Sequence, residues 1–330
     1  MESVNVLVTS VLDDECLKQI AAVSPRVQMT DVAELSRAAH NGDLVAQARL
    51  DALLAEAEVI YGIRLPDNVF SRAPRLKWIQ VLSAGVDFFL NAEMLASPVI
   101  LTNVSGIHAT AISEFVLARM LMFAKQASWS FQLQREKRWE RFTISVLRSK
   151  TVGVVGLGNI GREVARLSQA FGMQVLATRR SAKQVGRARY VDMLLPSAQL
   201  PRLLAESDFV VITAAFTNET NKLIGEKELR MMKPTAYLIN IARGGLVDEE
   251  ALIRALEEHW IAGAALDVFA TEPLPAESRL WDLPDLIFSP HSSGGMEDYN
   301  QRATDLFCDN LRRYVDGQKL RNVVDKKRGY

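Results

Sequence analysis

Three glycines, Gly156, Gly158 and Gly161, stand at the spacing G-x-G-x-x-G. They follow a β-branched run, TVGVV at 151–155, long enough for a buried parallel strand. They precede a helical pattern with Ile160, Val164, Leu167 and Phe171 on one face. Gly172 stands where a helix favours a left-handed residue, and 173–178 reads as the next strand. In such a strand–turn–helix–strand unit of about thirty residues the spacing denotes a dinucleotide site. Gly156 permits the tight turn, Gly158 lets backbone approach a pyrophosphate, and Gly161 allows close helix–strand packing. Asn159 and Ile160 complete the turn, and the first N–H groups of the helix meet the anion.

A proton donor can be sought among only four histidines. His40 lies in a polar N-terminal stretch beside Asn41 and Gly42, and His259 ends a helix, where it serves as a dipole partner. His108 opens a long helix, as its cap or facing a cleft. His291 follows a buried strand and a proline, and precedes Ser-Ser-Gly-Gly, which makes it the best candidate for proton transfer near neutral pH. Reduction of a 2-oxo acid would also need a cation for carboxylate and carbonyl oxygen, and a group that keeps the donor protonated. Arg243 suits the first role, because guanidinium binds a carboxylate bidentately. Glu272 suits the second, since a carboxylate beside an imidazole raises its pKa. Taken alone, Glu272 reads as a surface charge in a TEPLP turn and Asp267 as a helix cap; their weight comes from the set.

Strands alternating with helices indicate parallel α/β layers. Before the glycine-rich unit, 4–10, 27–30, 59–62, 76–81 and 100–104 read as strands, and 106–139 as a long helix or helix pair. After it, 208–213, 235–241, 262–266 and 286–289 read as strands, and 299–315 as a helix. Ligands of open parallel sheets bind beyond the carboxyl ends of the strands. The middle region places six strand ends on one rim, at Gly156, Arg179, Thr213 with Ala214, Arg243, Asp267 and His291. Boundaries near Val104 and His291 give a dinucleotide domain at 105–291, and a substrate domain at 1–104 rejoined by 292–330.

Arg179 and Arg180 close the second strand of the glycine-rich unit, where an acidic residue would hold the ribose diol of NAD. A guanidinium there pairs with the 2′-phosphate of NADP, so NADP is the expected cofactor and NAD the lesser possibility. The plainer alternative is two solvated arginines beside a diol held by backbone.

The 330 residues suffice for two domains with proper cores. Lys plus Arg and Asp plus Glu both number 39, so charge argues for neither nucleic acid nor membrane as partner. Cys16 and Cys308 lack metal-binding spacing and fit a reduced, cytoplasmic setting. The acidic N-terminus does not read as a signal peptide, and the most apolar helical stretch, 115–124, contains Arg119 and is too short to span a bilayer.

The chain resembles the D-isomer-specific 2-hydroxyacid dehydrogenase family through separate blocks in the family's order. They are SAGVD at 83–87, GLGNIG at 156–161, the stretch 217–252 containing IARGG, AGAALDVFATEPLP at 262–275, and SPHSSGG at 289–295. The resemblance implies two doubly wound parallel-sheet α/β domains, a Rossmann nucleotide-binding domain inserted in a discontinuous flavodoxin-like catalytic domain, with the active site in the cleft between them. It implies Arg243 as the substrate-binding arginine beside Ala242, Glu272 as the carboxylate partner, and His291 as the acid/base. Asp267 then lies near the nicotinamide amide, Thr213 and Ala214 on the cofactor wall, and the N–H groups of Ala84 and Gly85 on the substrate carboxylate. It further implies a homodimer, and reduction of a small 2-oxo acid such as glyoxylate or hydroxypyruvate to the D-2-hydroxy acid. Departures are the arginine pair, Ala214–Ala215–Phe216 where many members carry proline, Ser83 where Gly is frequent, and unassigned loops at 62–67. Two other readings share the fold: a dinucleotide-sensing corepressor, and a formate- or phosphite-type dehydrogenase. Trp139 lines the substrate pocket or packs between helices.

Overall fold

The computed structural model describes residues 3–329. It divides into two compact units, one holding the described residues up to Ile107 together with those from Met296 onward, the other His108–Gly295. Strands β1 (Val4–Val8), β2 (Val27–Asp31), β3 (Val59–Gly62), β4 (Trp78–Val81) and β5 (Ile100–Thr102) belong to the first unit. They form an all-parallel sheet in the order β2-β1-β3-β4-β5, the flavodoxin-like order. β3 and β4 are buried at every position, as strands covered on both faces must be.

The C-terminal helix Tyr299–Val315 returns to this sheet. Phe307 stacks on Tyr61 at 4.0 Å between ring centroids, both side chains fully buried. Gln301 Nε2 donates to Gln19 Oε1 at 2.8 Å, tying the helix to Asp14–Ala21, which Asp13 caps through the Cys16 N–H. Of the long helix or helix pair expected at 106–139, the structure has the pair, Ala109–Ala124 and Ala127–Arg135. Trp139 lies beyond it with 96% of its surface exposed, so it does not pack between helices within this chain.

The second unit contains β6 (Thr151–Val155), β7 (Gln174–Arg179), β8 (Gly186–Ala188), β9 (Val191–Pro196), β10 (Phe209–Ile212), β11 (Tyr237–Asn240), β12 (Gly263–Leu266) and β13 (Leu286–Phe288). Their order is β13-β12-β11-β10-β6-β7-β9-β8, parallel throughout except that β8 runs antiparallel to β9. From β9 to β12 this is the doubly wound Rossmann order, with β8 added at one edge and β13 at the other. The sequence reading places no element between 181 and 207, whereas β8, β9 and the helix Leu200–Glu206 lie there. Hence the strand leading to Thr213 is fifth in this sheet rather than third. β8 has no buried residue and β9 buries only Val191 and Leu195, so neither shows the apolar run that marks the inner strands.

Removing the Phe307 ring tests whether the returning helix is part of the first core. Phe307→Ala is expected to cost about 3–5 kcal/mol of stability, read from urea unfolding. A midpoint like that of the wild type would make the helix peripheral.

Candidate active site

Carboxyl ends of the parallel strands of the second unit gather on one rim, and the sheet order reverses between β6 and β10. Gly156, just past β6, has φ +101°, and a Cβ there would stand 2.8 Å from the backbone of Ala214. Gly161 sits against the Gly156 carbonyl, and its Cβ would stand 2.9 Å from Thr213 Oγ1. Thr213 Oγ1 donates to the Gly156 carbonyl and its N–H bonds Val155 O at 2.9 Å, stitching the two loops together. Both glycines are therefore demanded by the protein's own packing. Gly158 is not: a Cβ there meets nothing within 4 Å, and its φ of −87° suits any residue. Its openness lies at the N-terminus of the helix Asn159–Ala170, whose first N–H groups lack helical acceptors and attract anions. The residues present thus fit a pyrophosphate.

At the end of β7, Arg179 pairs in register with Pro196, and both arginines are exposed. Arg180 faces Glu219 at 4.0 Å, an exposed pair of little energetic weight.

β11 ends at Asn240, which organises the turn that follows. Its Oδ1 accepts from Ala242 N at 3.1 Å and its Nδ2 donates to Arg243 O at 2.9 Å. The Arg243 guanidinium donates to Ala242 O at 2.8 Å. Gly244 lies directly on the backbone of Phe269, bringing this turn against the segment after β12. There Glu272 Oε1 accepts from Phe269 N at 3.0 Å, and Oε2 lies 2.8 Å from His291 Nδ1. With Glu272 ionised, Nδ1 carries a proton and Nε2 is turned to other partners.

His291 itself adopts φ +50°, an uncommon conformation for a residue with a Cβ. The turn is fixed by Asp267, which is 1% exposed. Asp267 Oδ1 accepts from Ser289 Oγ at 2.7 Å and Ser292 N at 2.9 Å; Oδ2 accepts from Ser293 N at 3.0 Å. The His291 N–H bonds the Asp267 carbonyl at 2.8 Å. Asp267 is therefore neither a helix cap nor a surface charge; it gathers the loop that carries the imidazole. Its charge opposes the downward pull of burial on Arg119, whose guanidinium lies 4.3 Å from the centre of the Phe115 ring.

Other histidines fall elsewhere. His40 faces Asp67 at 3.8 Å on the surface, and His259 takes φ +55° just past its helix. His108 starts the helix Ala109–Ala124 without a side-chain cap bond; its ring lies beside Gly294, and burial holds its pKa below the ordinary range. In the first unit, Ala84 and Gly85 follow β4 in a half-buried loop, with Ala84 O accepting from Asn103 Nδ2 at 2.8 Å. Asn240, Ser289 and Asn103 were not singled out from the sequence, although each is a polar residue at the end of an apolar strand run. Among the described residues no helix is long and apolar enough to cross a membrane, and no group of three acidic, His or Cys side chains could hold a metal ion.

Reversal of strand order at a glycine turn defines a nucleotide-binding α/β unit, and its rim carries an imidazole paired with a carboxylate. Comparison with known proteins makes the class specific. Residues 117–293 match the family model described as D-isomer specific 2-hydroxyacid dehydrogenase, NAD binding domain. A glyoxylate reductase from Thermococcus gammatolerans is 36% identical over 273 residues, 80% of each chain. Among solved structures, a D-isomer specific 2-hydroxyacid dehydrogenase family protein from Aeromonas salmonicida superposes with a TM-score of 0.84 at 30% identity, covering 98% of this chain and 100% of that one. An NADPH-dependent glyoxylate/hydroxypyruvate reductase from Sinorhizobium meliloti, solved with NADP and sulfate, gives 0.84 at 27% identity over 99% of this chain and 100% of that one. The chain belongs to the D-isomer specific 2-hydroxyacid dehydrogenase family.

Two substitutions separate the glycines. Gly156→Ala is expected to lower stability by about 1–3 kcal/mol through backbone strain. Gly158→Ala should stay within about 0.5 kcal/mol of wild type while weakening NADPH binding at least about tenfold, read by chemical denaturation and fluorescence titration. Stability loss in both would show that Gly158 too serves the fold. Asp267→Asn sets an amide N–H₂ against the Ser293 N–H and should cost about 1–3 kcal/mol, with a fall in turnover. Unaltered turnover would detach Asp267 from the placement of His291.

Proposed function

We propose that this protein reduces a small 2-oxo acid of the glyoxylate or hydroxypyruvate type to the D-2-hydroxy acid, with NADPH preferred over NADH. The observation that carries the reading is the 2.8 Å contact between His291 Nδ1 and Glu272, on the same rim as the glycine turn. A purely sensory dinucleotide protein has no use for an imidazole so held. Support for the substrate class comes from relatives named glyoxylate reductase and from the Sinorhizobium meliloti glyoxylate/hydroxypyruvate reductase.

Gly156, Gly158, Asn159, Ile160 and Gly161 would hold the pyrophosphate, Thr213, Ala214, Ala242 and Asp267 the nicotinamide half, and Arg179 and Arg180 the 2′-phosphate. When bound, the cofactor supplies a hydride to the carbonyl carbon. His291 donates a proton from Nε2 to the carbonyl oxygen, so that hydride and proton together convert the carbonyl to an alcohol. Glu272 holds Nδ1 and balances the charge of the protonated ring. Arg243 neutralises the substrate carboxylate and the charge developing on the oxygen. Ala84 and Gly85 would offer backbone N–H groups to the substrate carboxylate. The arginine pair supports NADPH, since two cations close to a phosphate are favourable and no carboxylate of β7 opposes them. The family reading also makes the protein a homodimer; Phe131 and Trp139, 53% and 96% exposed, are apolar surface that such pairing would cover.

The test is the oxidation of NADPH and NADH with glyoxylate, hydroxypyruvate and pyruvate. Expected are kcat/KM at least about tenfold higher with NADPH, loss of about 10³-fold or more in His291→Ala, and a shift towards NADH in Arg179→Asp. A preference for NADH would overturn the reading of the arginines alone. Absence of turnover with tight dinucleotide binding would favour a sensor.

A further inference from the structure

Carbonyl groups of the loop after β4 are all committed inside the first unit. Leu82 O accepts from the Tyr299 hydroxyl at 2.7 Å, Ser83 O from Val104 N at 3.2 Å, Ala84 O from Asn103 Nδ2 at 2.8 Å, and Gly85 O from Ser83 Oγ at 2.7 Å. The N–H groups of Ser83, Ala84 and Gly85, by contrast, donate to no acceptor among the described residues. Half-buried N–H groups left in a row make an anion-binding concavity, and every tied carbonyl removes an orientation in which the peptide plane would present oxygen instead.

Three of these four ties come from the loop itself or from residues just past β5. The fourth comes from more than two hundred residues away, at the first residue of the helix Tyr299–Val315. That helix is anchored along β4. Asn310 Nδ2 donates to the fully buried Gln80 Oε1 at 2.9 Å, and the Tyr314 ring stacks on Trp78 at 5.4 Å. Tyr299 is thus delivered to Leu82 by an element whose own position is fixed by the core.

We propose that Tyr299 is a positioning residue for substrate: by holding the Leu82 carbonyl, its hydroxyl fixes the Leu82–Ser83 peptide plane, and so the direction in which Ser83, at the head of the row, presents its N–H group to the substrate carboxylate. The proposal rests on the reading of this protein as a 2-oxo acid reductase. Burial pushes the Tyr299 phenol up to about 12, so it remains a donor throughout the working range of pH.

The experiment compares wild type with Tyr299→Phe, which keeps the ring, and with Asn103→Ala, which releases the Ala84 carbonyl and with it the peptide plane of the Gly85 N–H. KM and kcat would be measured with glyoxylate, NADPH affinity by fluorescence, and oxamate affinity by calorimetry in the presence of NADP. In Tyr299→Phe, KM and the oxamate Kd should rise together by about tenfold, while kcat stays within about twofold and NADPH affinity is unchanged. Asn103→Ala should move the same two quantities in the same direction. The KM effect should be the same at pH 6.5 and pH 8.5, about two units or more below the phenol's titration. Unchanged KM and oxamate affinity in Tyr299→Phe, with or without a lower melting temperature, would reduce the hydroxyl to a fold contact and overturn the proposal. Wild type that binds NADPH but neither turns over a 2-oxo acid nor binds oxamate would overturn the enzymatic reading, and the proposal with it.

Discussion

A carboxylate buried at the end of β12 holds the turn on which the His291 imidazole rides. Asp267 faces three neutral donors from the segment after β13, and among the described residues no salt bridge compensates its charge at close range. A buried charge is tolerable only where hydrogen bonds replace its hydration. The turn is therefore bound to its present shape: opening it would strand an anion in the interior. That constraint lets His291 keep φ +50° and hold its ring against Glu272. One electrostatic requirement thus fixes the backbone, and the backbone fixes the geometry of the His291–Glu272 pair.

The glycine turn shows a different division. Gly156 and Gly161 meet the loop after β10 so closely that a methyl group at either would displace it. Gly158 meets only open space. The spacing G-x-G-x-x-G therefore mixes two requirements, one from the fold and one from whatever approaches the helix N-terminus. Only the second is evidence of a ligand. Because the fold alone explains two of the three glycines, the motif is informative chiefly through its middle member.

Much of this was legible in the chain. The 3.6-residue period gave the helix Asn159–Ala170, and apolar runs gave β3, β6 and β10 nearly to the residue, because burial on both faces leaves an unambiguous pattern. The edge hairpin β8–β9 was not legible, since an edge strand needs little apolar surface and RARYVDML carries no period of two. The pairing of Glu272 with His291 was foreseeable from residue types and resemblance. The role of Asp267 was not, because an aspartate after an apolar strand is ambiguous until its acceptors find donors more than twenty residues on. Asn240 and Asn103 escaped for the same reason. Asn240 binds the backbone of Ala242 and Arg243 and Asn103 that of the distant Ala84, and side chain–backbone bonds leave no spacing signature in a single sequence.

In the reading proposed above, anion recognition in both units falls to backbone N–H groups: those at the start of the helix Asn159–Ala170, and those of the loop at 83–85. A lysine in either place would bring more charge but less direction, and its flexible stem would have to be ordered on binding. Peptide N–H groups are already ordered, provided their own carbonyls are tied down. In the loop after β4 that is accomplished by Tyr299, Val104, Asn103 and Ser83. Guanidinium groups stand instead at the end of β7 and in the turn after β11. At those places the reading proposed above asks for discrimination by charge: a phosphate distinguished from a hydroxyl, and an alkoxide from a ketone. Direction is assigned to the backbone and charge to the arginines, and each is used where the other would serve less well.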